Sequence, residues 1–535
     1  MTLVSASFFI FVCIALVAYY IVPIRFRWIV LLAASFTFYG IVCLDYLPFL
    51  CITIVTTWLG AVGMEKLDGK RKAILKENKA VWSKEEKKQF KNKFAKYKRI
   101  ILIVVLVFNF GILGVLKYYN WIAGSLGERI GVSIPMVTLL LPLGISFYTF
   151  QTMGYLLDVY WEKTPAQKNP AKFALFASFF PQIIQGPIAI YDELAVQLNE
   201  GHRLKYENIK YGFQLILWGL FLKMVLADRA MVALNTLLDR KNDLGGFWNA
   251  AAIVIYAFQL YTDFSGGINI SRGVAQMFGI QMAENFRRPF FSKDVSEFWR
   301  RWHISLGRWL KTYLFYPIAV SKPFLKMGRG LTAHIKGRLG VHLGRVLPGC
   351  IGTLITFLVI GMWHGANWRY AGFGLWNGII IFISMLCDPL FRKFREKIGP
   401  VSKSFSYRLF QILRTTVLVL IGFAFDIADN LKDSIVMLTK CVTDPMPPLG
   451  MREFKDSLLG LGLQRQDWYI LAAGLLLLFC VSLYQERSGR SVRETLDKQC
   501  IWFQWIVMLG AMIAIYLFGM YGPGVSAGEF VYMQF

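Results

Sequence analysis

The chain has 535 residues, of which 56% are hydrophobic and 17% charged, and its formal net charge is +26. Soluble proteins carry about 25% charged residues, so this composition argues against a set of soluble domains. Apolar runs of about 18 to 22 residues recur along the chain, each able to cross a hydrocarbon core ~30 Å thick. We therefore predict an all-α polytopic membrane protein with one membrane domain over residues 1–535.

The positive charge lies mainly between the apolar runs. This distribution is typical of the cytoplasmic loops of membrane proteins. No basic face interleaved with stacking aromatic residues is visible, so nucleic acid is not expected as a partner. Residues 65–99 form one strongly basic segment, for which we expect a solvated cytoplasmic loop with helix-forming composition. Contact with anionic membrane lipid explains such a segment without any further function.

The first apolar run, residues 3–22, is followed by Arg25 and Arg27 and has no basic residue before it. A secretory signal peptide has the opposite charge order, so we predict a retained span with its N-terminus outside the cell membrane. Two further spans would end near residue 64 and place residues 65–99 in the cytoplasm. In total we predict ten to thirteen crossings, including additional C-terminal spans within residues 411–535.

Residues 139–368 are predicted to form the core of the domain. Within them, residues 142–155 carry polar side chains such as Tyr148 and Gln151 at membrane depth. Residues 179–187 contain two prolines and a glycine, which forbid an uninterrupted helix. Irregular backbone at membrane depth must be buried in protein or line a cavity, so we expect a cavity in this core.

Two histidines stand out by their surroundings. His364 follows the apolar run 351–360 and lies between Trp363 and Trp368, where an imidazole is costly unless it has a partner or a task. His303 lies in Phe298-Trp-Arg-Arg-Trp-His-Ile-Ser-Leu-Gly-Arg-Trp309. Helical spacing predicts one interfacial helix here, with Trp299, Trp302 and His303 on one face. A purely structural role, bonded to a carbonyl or at the interface, stays open for each histidine.

Several other chemistries lack support. Neither histidine has a second ligand three or four residues away, and the eight cysteines form no Cys-x-x-Cys pair, so no metal site and no disulfide framework are predicted. No nucleophile elbow, P-loop or dinucleotide fingerprint occurs, and no bound cofactor is predicted. An imidazole with a pKa of about 6.5 remains, which suits proton removal from a hydroxyl at neutral pH.

Seven stretches resemble one known family in order along the chain. They are Pro142-Leu-Gly-Ile-Ser-Phe-Tyr-Thr-Phe-Gln151, Phe179-Phe-Pro-Gln-Ile-Ile-Gln-Gly-Pro-Ile188, Tyr261-Thr-Asp-Phe-Ser-Gly266, Glu284-Asn-Phe286, Phe298-Trp-Arg-Arg-Trp-His-Ile-Ser-Leu306, Trp363-His-Gly-Ala-Asn-Trp368 and Phe530-Val-Tyr-Met-Gln-Phe535. The chain is similar to the membrane-bound O-acyltransferases, and closest to the bacterial branch that acetylates alginate or transfers D-alanine to teichoic acid. The resemblance implies a ring of tilted transmembrane helices around a central funnel.

The resemblance also implies a reaction and its residues. His364 matches the catalytic histidine of the family and His303 the accompanying one. An acyl group, with acetyl expected, would move from a cytoplasmic thioester, acetyl-CoA or an acyl carrier protein, to hydroxyls of an extracellular polysaccharide or to a secreted or anchored partner protein. Candidates for lining the funnel are Trp363, Trp302, Trp299, Asn367, Asp263, Gln151 and Asn285. Candidates for docking the donor by charge complementarity are Lys322, Lys326, Arg329, Lys336 and Arg338, with lipid contact as the alternative.

Three alternatives remain. The first is D-alanyl transfer to teichoic acid, since the chain departs from the acetylating pattern after the first histidine motif, where Lys311-Thr-Tyr-Leu-Phe-Tyr-Pro-Ile318 stands. The second is a transporter or channel in which the histidines relay protons. The third is a catalytically idle partner of a polysaccharide synthase.

Overall fold

The computed structural model describes residues 1–137, 142–240, 244–445 and 450–521. Residues 530–535, one of the seven resembling stretches, and residues 139–141 of the predicted core lie outside these ranges. Within the described ranges the backbone is helical apart from turns and irregular segments, and the isolated antiparallel bridge between Phe286 and Trp302 is its only β-type pairing. The predicted all-α class is therefore confirmed.

The helices divide between two compact units. One contains Met1–Phe213 with Ser271–Ala283, and the other contains Gln214–Ile270 with Glu284–Phe535. The α-helices before residue 240 are α1 Ala6–Ile21, α2 Arg27–Cys43, α3 Leu47–Glu77, α4 Lys84–Ile130, α5 Ile145–Tyr160, α6 Pro170–Ser178, α7 Phe180–Gln185, α8 Tyr191–Glu200, α9 Tyr206–Leu220 and α10 Asp228–Asp239.

The remaining α-helices carry both histidines or follow them. They are α11 Gly246–Met277, α12 Val295–Arg301, α13 Ile304–Leu310, α14 Tyr316–Ala319, α15 Lys322–His334, α16 Gly337–His364, α17 Trp368–Leu386, α18 Asp388–Ile398, α19 Phe405–Ile427, α20 Leu431–Thr443, α21 Met451–Leu459, α22 Arg465–Ser488, α23 Val492–Leu496 and α24 Ile501–Phe518.

Seven helical segments in the described ranges are long and apolar enough to cross a membrane. They are Ile24–Glu77, Lys84–Ile130, Gly337–His364, Trp368–Leu386, Phe405–Ile427, Arg465–Ser488 and Ile501–Phe518. This count is lower than the ten to thirteen predicted crossings. The segment Ile24–Glu77 contains two helices, α2 and α3, and α1, at the first predicted span, is only 16 residues long. A polytopic membrane protein is nevertheless what these segments indicate.

The first unit contains a long helical hairpin made by α3 and α4. The basic segment 65–99 is the end of α3, a turn, and the beginning of α4. Ser83 caps α4 by accepting from the Glu86 backbone, and the Glu86 carboxylate accepts from the Ser83 backbone in return, which satisfies otherwise unpaired N–H groups. Lys98 binds Asp68 across the hairpin, so the two helices are tied where they meet the rest of the unit.

The interrupted segment predicted from the prolines is also in the first unit. Helix α6 ends at Ser178 and α7 spans only Phe180–Gln185, as the sequence indicated. Protein buries this region: Gln151 donates to the Phe176 carbonyl and accepts from Gln182, both at 2.7 Å. The two glutamine side chains border a cavity of about 10 Å³, close to the volume that one water molecule needs.

In the second unit α16 and α17 form a closely packed hairpin. A Cβ at Gly361 would lie 2.1 Å from the Tyr370 carbonyl oxygen, and one at Gly374 would lie 2.2 Å from that of Phe357. Because real Cβ atoms do not approach backbone that closely, only glycine permits this contact. The hairpin places the end of α16, with His364, against the first turns of α17.

Candidate active site

His364 is the last residue of α16 and is 8% exposed. Its ring centroid lies 5.3 Å from that of Phe373 and 6.2 Å from that of Tyr370, both on α17. A Cβ at Gly365 would meet the Tyr370 ring at 2.2 Å, so the residue after the histidine must be glycine if this ring is to stay in place. The predicted position of His364 at the end of a span is confirmed.

His303 lies in a break between two short helices, which corrects the prediction of one continuous helix. Helix α12 ends at Arg301, and α13 begins at Ile304. His303 itself has φ 44° and ψ 54°, in the left-handed region that a non-glycine residue rarely adopts. The break follows from pairing with an earlier segment, because the Ile304 N–H donates to the Asn285 carbonyl and the Arg287 N–H donates to the Arg301 carbonyl.

The Asn285 side chain fixes the His303 ring. Its Oδ1 accepts from the Ser305 N–H at 3.0 Å and from the Ser305 hydroxyl at 2.9 Å, and it lies 3.2 Å from His303 Nδ1. A backbone N–H can only donate, so the atom facing it must be the amide oxygen. His303 Nδ1 therefore carries the proton, and Nε2 bears the lone pair of the neutral ring.

Aromatic rings join the two histidines. The Trp363 centroid lies 6.1 Å from that of His303 and 5.2 Å from that of His364. Phe264 lies edge-on to His303 at 4.9 Å. We call His303, His364 and these rings, with Phe373 and Tyr370, the histidine cage. Burial, and to a smaller extent the nearby His364, lower the pKa of the His303 imidazole to about 3, so this ring is neutral at physiological pH.

Trp299 and Trp302 lie on either side of the helix break. The Trp299 indole N–H donates to the Asn377 side chain at 3.1 Å, and its ring packs 5.2 Å from that of Phe357. Trp302 is 4% exposed and packs 5.0 Å from Phe286. Both funnel candidates are thus neighbours of the histidine cage, although they do not share one helical face with His303.

Asp263 is paired rather than open to a cavity. It is fully buried on α11 and accepts from the Lys223 ammonium at 2.6 Å, and Asp228 accepts from the same ammonium at 2.8 Å. Lys223 lies in a π-helical segment, Phe221–Ala227, that joins α9 to α10. We call these three residues the Lys223 cluster. The residue after Asp263 is Phe264, so the cluster holds the turn that places Phe264 against His303.

The remaining funnel candidates lie elsewhere. Asn367 caps α17 through its Oδ1, which accepts from the Arg369 N–H at 3.0 Å, and its amide donates to the Asp429 carbonyl. Gln151 belongs to the first unit, where it forms the bonds described above. The structure therefore brings together His303, His364, Trp363, Trp302, Trp299 and Asn285, and gives Asp263, Asn367 and Gln151 other contacts.

The donor-docking candidates are all exposed on α15 and the beginning of α16. The two helices cross at a glycine contact, since a Cβ at Gly328 would lie 2.5 Å from the Gly344 carbonyl oxygen. Beside this crossing is an open depression of about 580 Å³, lined by Thr332, Gly337, Arg338, Val341, His342 and Arg345. Of the predicted docking residues, only Arg338 lines it.

Three participants were not foreseen from the sequence. Lys223 sits in an apolar run, Leu220-Phe-Leu-Lys-Met-Val-Leu226, and a lysine in such a run is itself a signal that an acidic partner is buried nearby. Phe373 and Tyr370 of the cage carry no comparable signal, because an aromatic residue at the start of an apolar helix is common.

Comparisons with known proteins show the family to which this chain belongs. The family model of the membrane-bound O-acyltransferases matches residues 166–330, which include His303. A probable alginate O-acetylase of Pseudomonas syringae pv. tomato is 30% identical over 434 residues, which are 79% of this chain and 71% of that protein. The chain belongs to the membrane-bound O-acyltransferase family.

Other members of the membrane-bound O-acyltransferase family match shorter parts of the chain. A peptidoglycan O-acetyltransferase of Helicobacter pylori is 32% identical over 324 residues, 56% of this chain and 58% of that protein. A teichoic acid D-alanyltransferase of Streptococcus thermophilus is 27% identical over 258 residues, 45% of this chain and 56% of that protein. The chain spans between 56% and 71% of the length of these three relatives.

Proposed function

We propose that this protein is an O-acyltransferase that moves an acetyl group from a thioester to a hydroxyl of a cell-surface polysaccharide. The observation that carries the proposal is the histidine cage: two buried imidazoles joined through Trp363. Its family membership, with O-acetylating relatives, supports acetyl as the group.

In the proposed reaction His364 is the general base. Its imidazole takes the proton of the acceptor hydroxyl as the oxygen attacks the thioester carbonyl carbon. The new C–O bond forms, the C–S bond breaks, and the thiolate leaves with the proton that His364 returns. No proton or electron is gained or lost overall. His303, kept neutral and fixed by Asn285, orients or polarises a reactant beside His364.

The proposed reaction needs a thioester donor and a hydroxyl acceptor. We infer that a thioester, acetyl-CoA or an acyl carrier protein, is a co-substrate, and that the exposed basic residues Lys322, Lys326 and Arg329 attract it by charge complementarity. An extracellular polysaccharide, or a partner protein that completes the transfer outside, would receive the group. The ring of helices around a funnel stays a prediction from family resemblance.

The test is His364→Ala, scored as acetate released by mild alkali from surface polymer. We expect ester content to fall by at least about 100-fold, the usual contribution of a general base. His334→Ala is a matched control, because His334 is an exposed histidine at the end of α15 and belongs neither to the histidine cage nor to the lining of the depression. Unchanged ester content at normal protein level in His364→Ala would contradict the proposal.

D-alanyl transfer is the second candidate, supported by the Streptococcus thermophilus relative. The same alkali release separates the two functions, since one liberates acetate and the other D-alanine. A loss of D-alanine rather than acetate in His364→Ala would keep the catalytic assignment and replace the acyl group.

A further inference from the structure

The depression beside the α15–α16 crossing has the chemistry of a phosphate site. Arg338 and Arg345 supply two positive charges to its lining. Residues 322–345 contain no Asp or Glu, so no acidic side chain within the segment competes for these arginines. Guanidinium groups bind phosphate through paired N–H donors, so an anionic phosphate is the ligand class that this lining favours.

Two contacts hold the helices beside the depression together. The glycine crossing at Gly328 and Gly344 holds the two helices at backbone contact. His342 is anchored by a 2.9 Å hydrogen bond from Nε2 to the Leu386 carbonyl. A preformed site loses less conformational entropy on binding than a flexible basic loop does.

The position of the depression along α16 indicates which kind of phosphate ligand binds there. Residues 346–363 follow Arg345 without a single charged side chain, so the depression lies where the polar end of the helix meets the apolar stretch. At 1.5 Å per residue, Arg345 and Arg338 are about 28 and 39 Å along the helix from His364. The separation of Arg345 from His364 is close to the ~30 Å thickness of a hydrocarbon core, which supports a position of this end of the helix at the membrane interface.

We propose that this depression binds the head group of an anionic phospholipid. Basic pockets between helices at the membrane interface are suited to such head groups. Val341 lines the depression and is 49% exposed, and Leu339 beside it is 61% exposed, so an apolar surface for an acyl chain adjoins the phosphate site. This inference does not depend on the proposed acyl transfer.

Native mass spectrometry of the full chain in detergent tests the proposal, with phosphatidylglycerol and phosphatidylcholine as the added lipids. We expect one phosphatidylglycerol to be retained in preference to phosphatidylcholine. The double variant Arg338→Gln and Arg345→Gln should weaken that binding by about 30-fold, from the contributions of two arginines near a membrane surface. Both side chains are exposed, so the fold should tolerate the exchange.

The matched control is Lys322→Gln with Lys326→Gln, which removes the same charge from α15 outside the depression. It should bind phosphatidylglycerol within about twofold of the unmodified chain, since its depression is intact. If both double variants lost phosphatidylglycerol binding equally, the binding would depend on general surface charge and not on the depression. That result would overturn the proposal. The site would instead belong to an acyl donor if coenzyme A displaced the lipid and the Arg338 and Arg345 variant also lost coenzyme A binding.

Discussion

In the second unit, the Lys223 cluster and the histidine cage are both buried, but their titratable side chains have different surroundings. The Lys223 cluster pairs an ammonium with two carboxylates at 2.6 and 2.8 Å. The histidine cage surrounds two imidazoles with rings, and His303 is kept neutral by burial. A buried ion pair ties elements together, whereas a neutral imidazole carries no charge that needs a counter-ion. The contrast supports a structural role for the Lys223 cluster and is compatible with the chemistry proposed for the histidine cage.

The largest expected effect comes from breaking the Lys223 cluster. Lys223→Met would remove the ammonium that Asp263 and Asp228 share in a buried place, which should lower the free energy of unfolding by about 3 to 5 kcal/mol. The measurement is thermal unfolding in detergent, together with the amount of protein that reaches the membrane. A variant that replaces all three members by Met or Leu is the control. It should be far closer to the original in stability, because no unpaired charge remains. A Lys223→Met protein as stable as the original would end the assignment of a structural role.

The next effect concerns the anchor of His303. Asn285→Ala removes the oxygen that accepts from Ser305 and His303. We expect a loss of about 1 to 3 kcal/mol, the usual cost of buried donors left without an acceptor. Transfer should fall as well, because His303 Nδ1 is no longer held.

Asn285→Asp tests whether Asn285 acts through His303. Aspartate keeps an acceptor oxygen at the same place, so the Ser305 and His303 donors stay satisfied, but the buried charge lowers stability unless His303 takes up a proton. Its negative charge favours the imidazolium and raises the pKa of His303, so the pH profile of transfer should shift. Identical pH profiles for the Asp variant and the original chain would show that Asn285 does not act through His303.

A further effect is the pH dependence of stability. The pKa of His303 is about 3 in the folded chain and about 6.5 when unfolded, so its contribution to stability is complete above pH ~6.5. That contribution is lost progressively as the pH falls towards 3, because the unfolded chain binds the proton first. His303→Asn should flatten this part of the stability profile, since asparagine tolerates the left-handed backbone and does not titrate there. If stability depended on pH in the same way in this variant, the acid sensitivity would come from other groups.

Much of the fold could be predicted from the sequence, since long apolar runs and prolines act locally. The end of the first apolar run near residue 22, the interrupted segment at residues 179–187 and the end of α16 at His364 are where the sequence placed them. The break at His303 could not be predicted, because Trp302 and His303 fit a helical pattern. The interruption depends on the distant Asn285 segment, which helical periodicity does not reveal.

The site was predictable to a similar extent. Both histidines and three tryptophans are in unusual sequence surroundings, Asn285 was indicated by the family resemblance, and the structure brings them together. Asp263 was assigned to the funnel because an acid in an apolar segment suggests function. Its partner, Lys223, is 40 residues earlier, and only the folded chain shows that the two charges satisfy each other.

The length of the α3–α4 hairpin offers a way to determine the orientation of the chain in the membrane. With 47 residues, α4 is about 70 Å long, more than twice the thickness of a hydrocarbon core. Its basic first turns and the end of α3 therefore stand in water as a stiff projection, with Val81 78% exposed at the tip. A cysteine introduced there and labelled with a membrane-impermeant maleimide would report the compartment that the projection occupies. The labelling result would show on which side of the membrane the tip of the hairpin lies. The direction of each other crossing can then be counted from the hairpin.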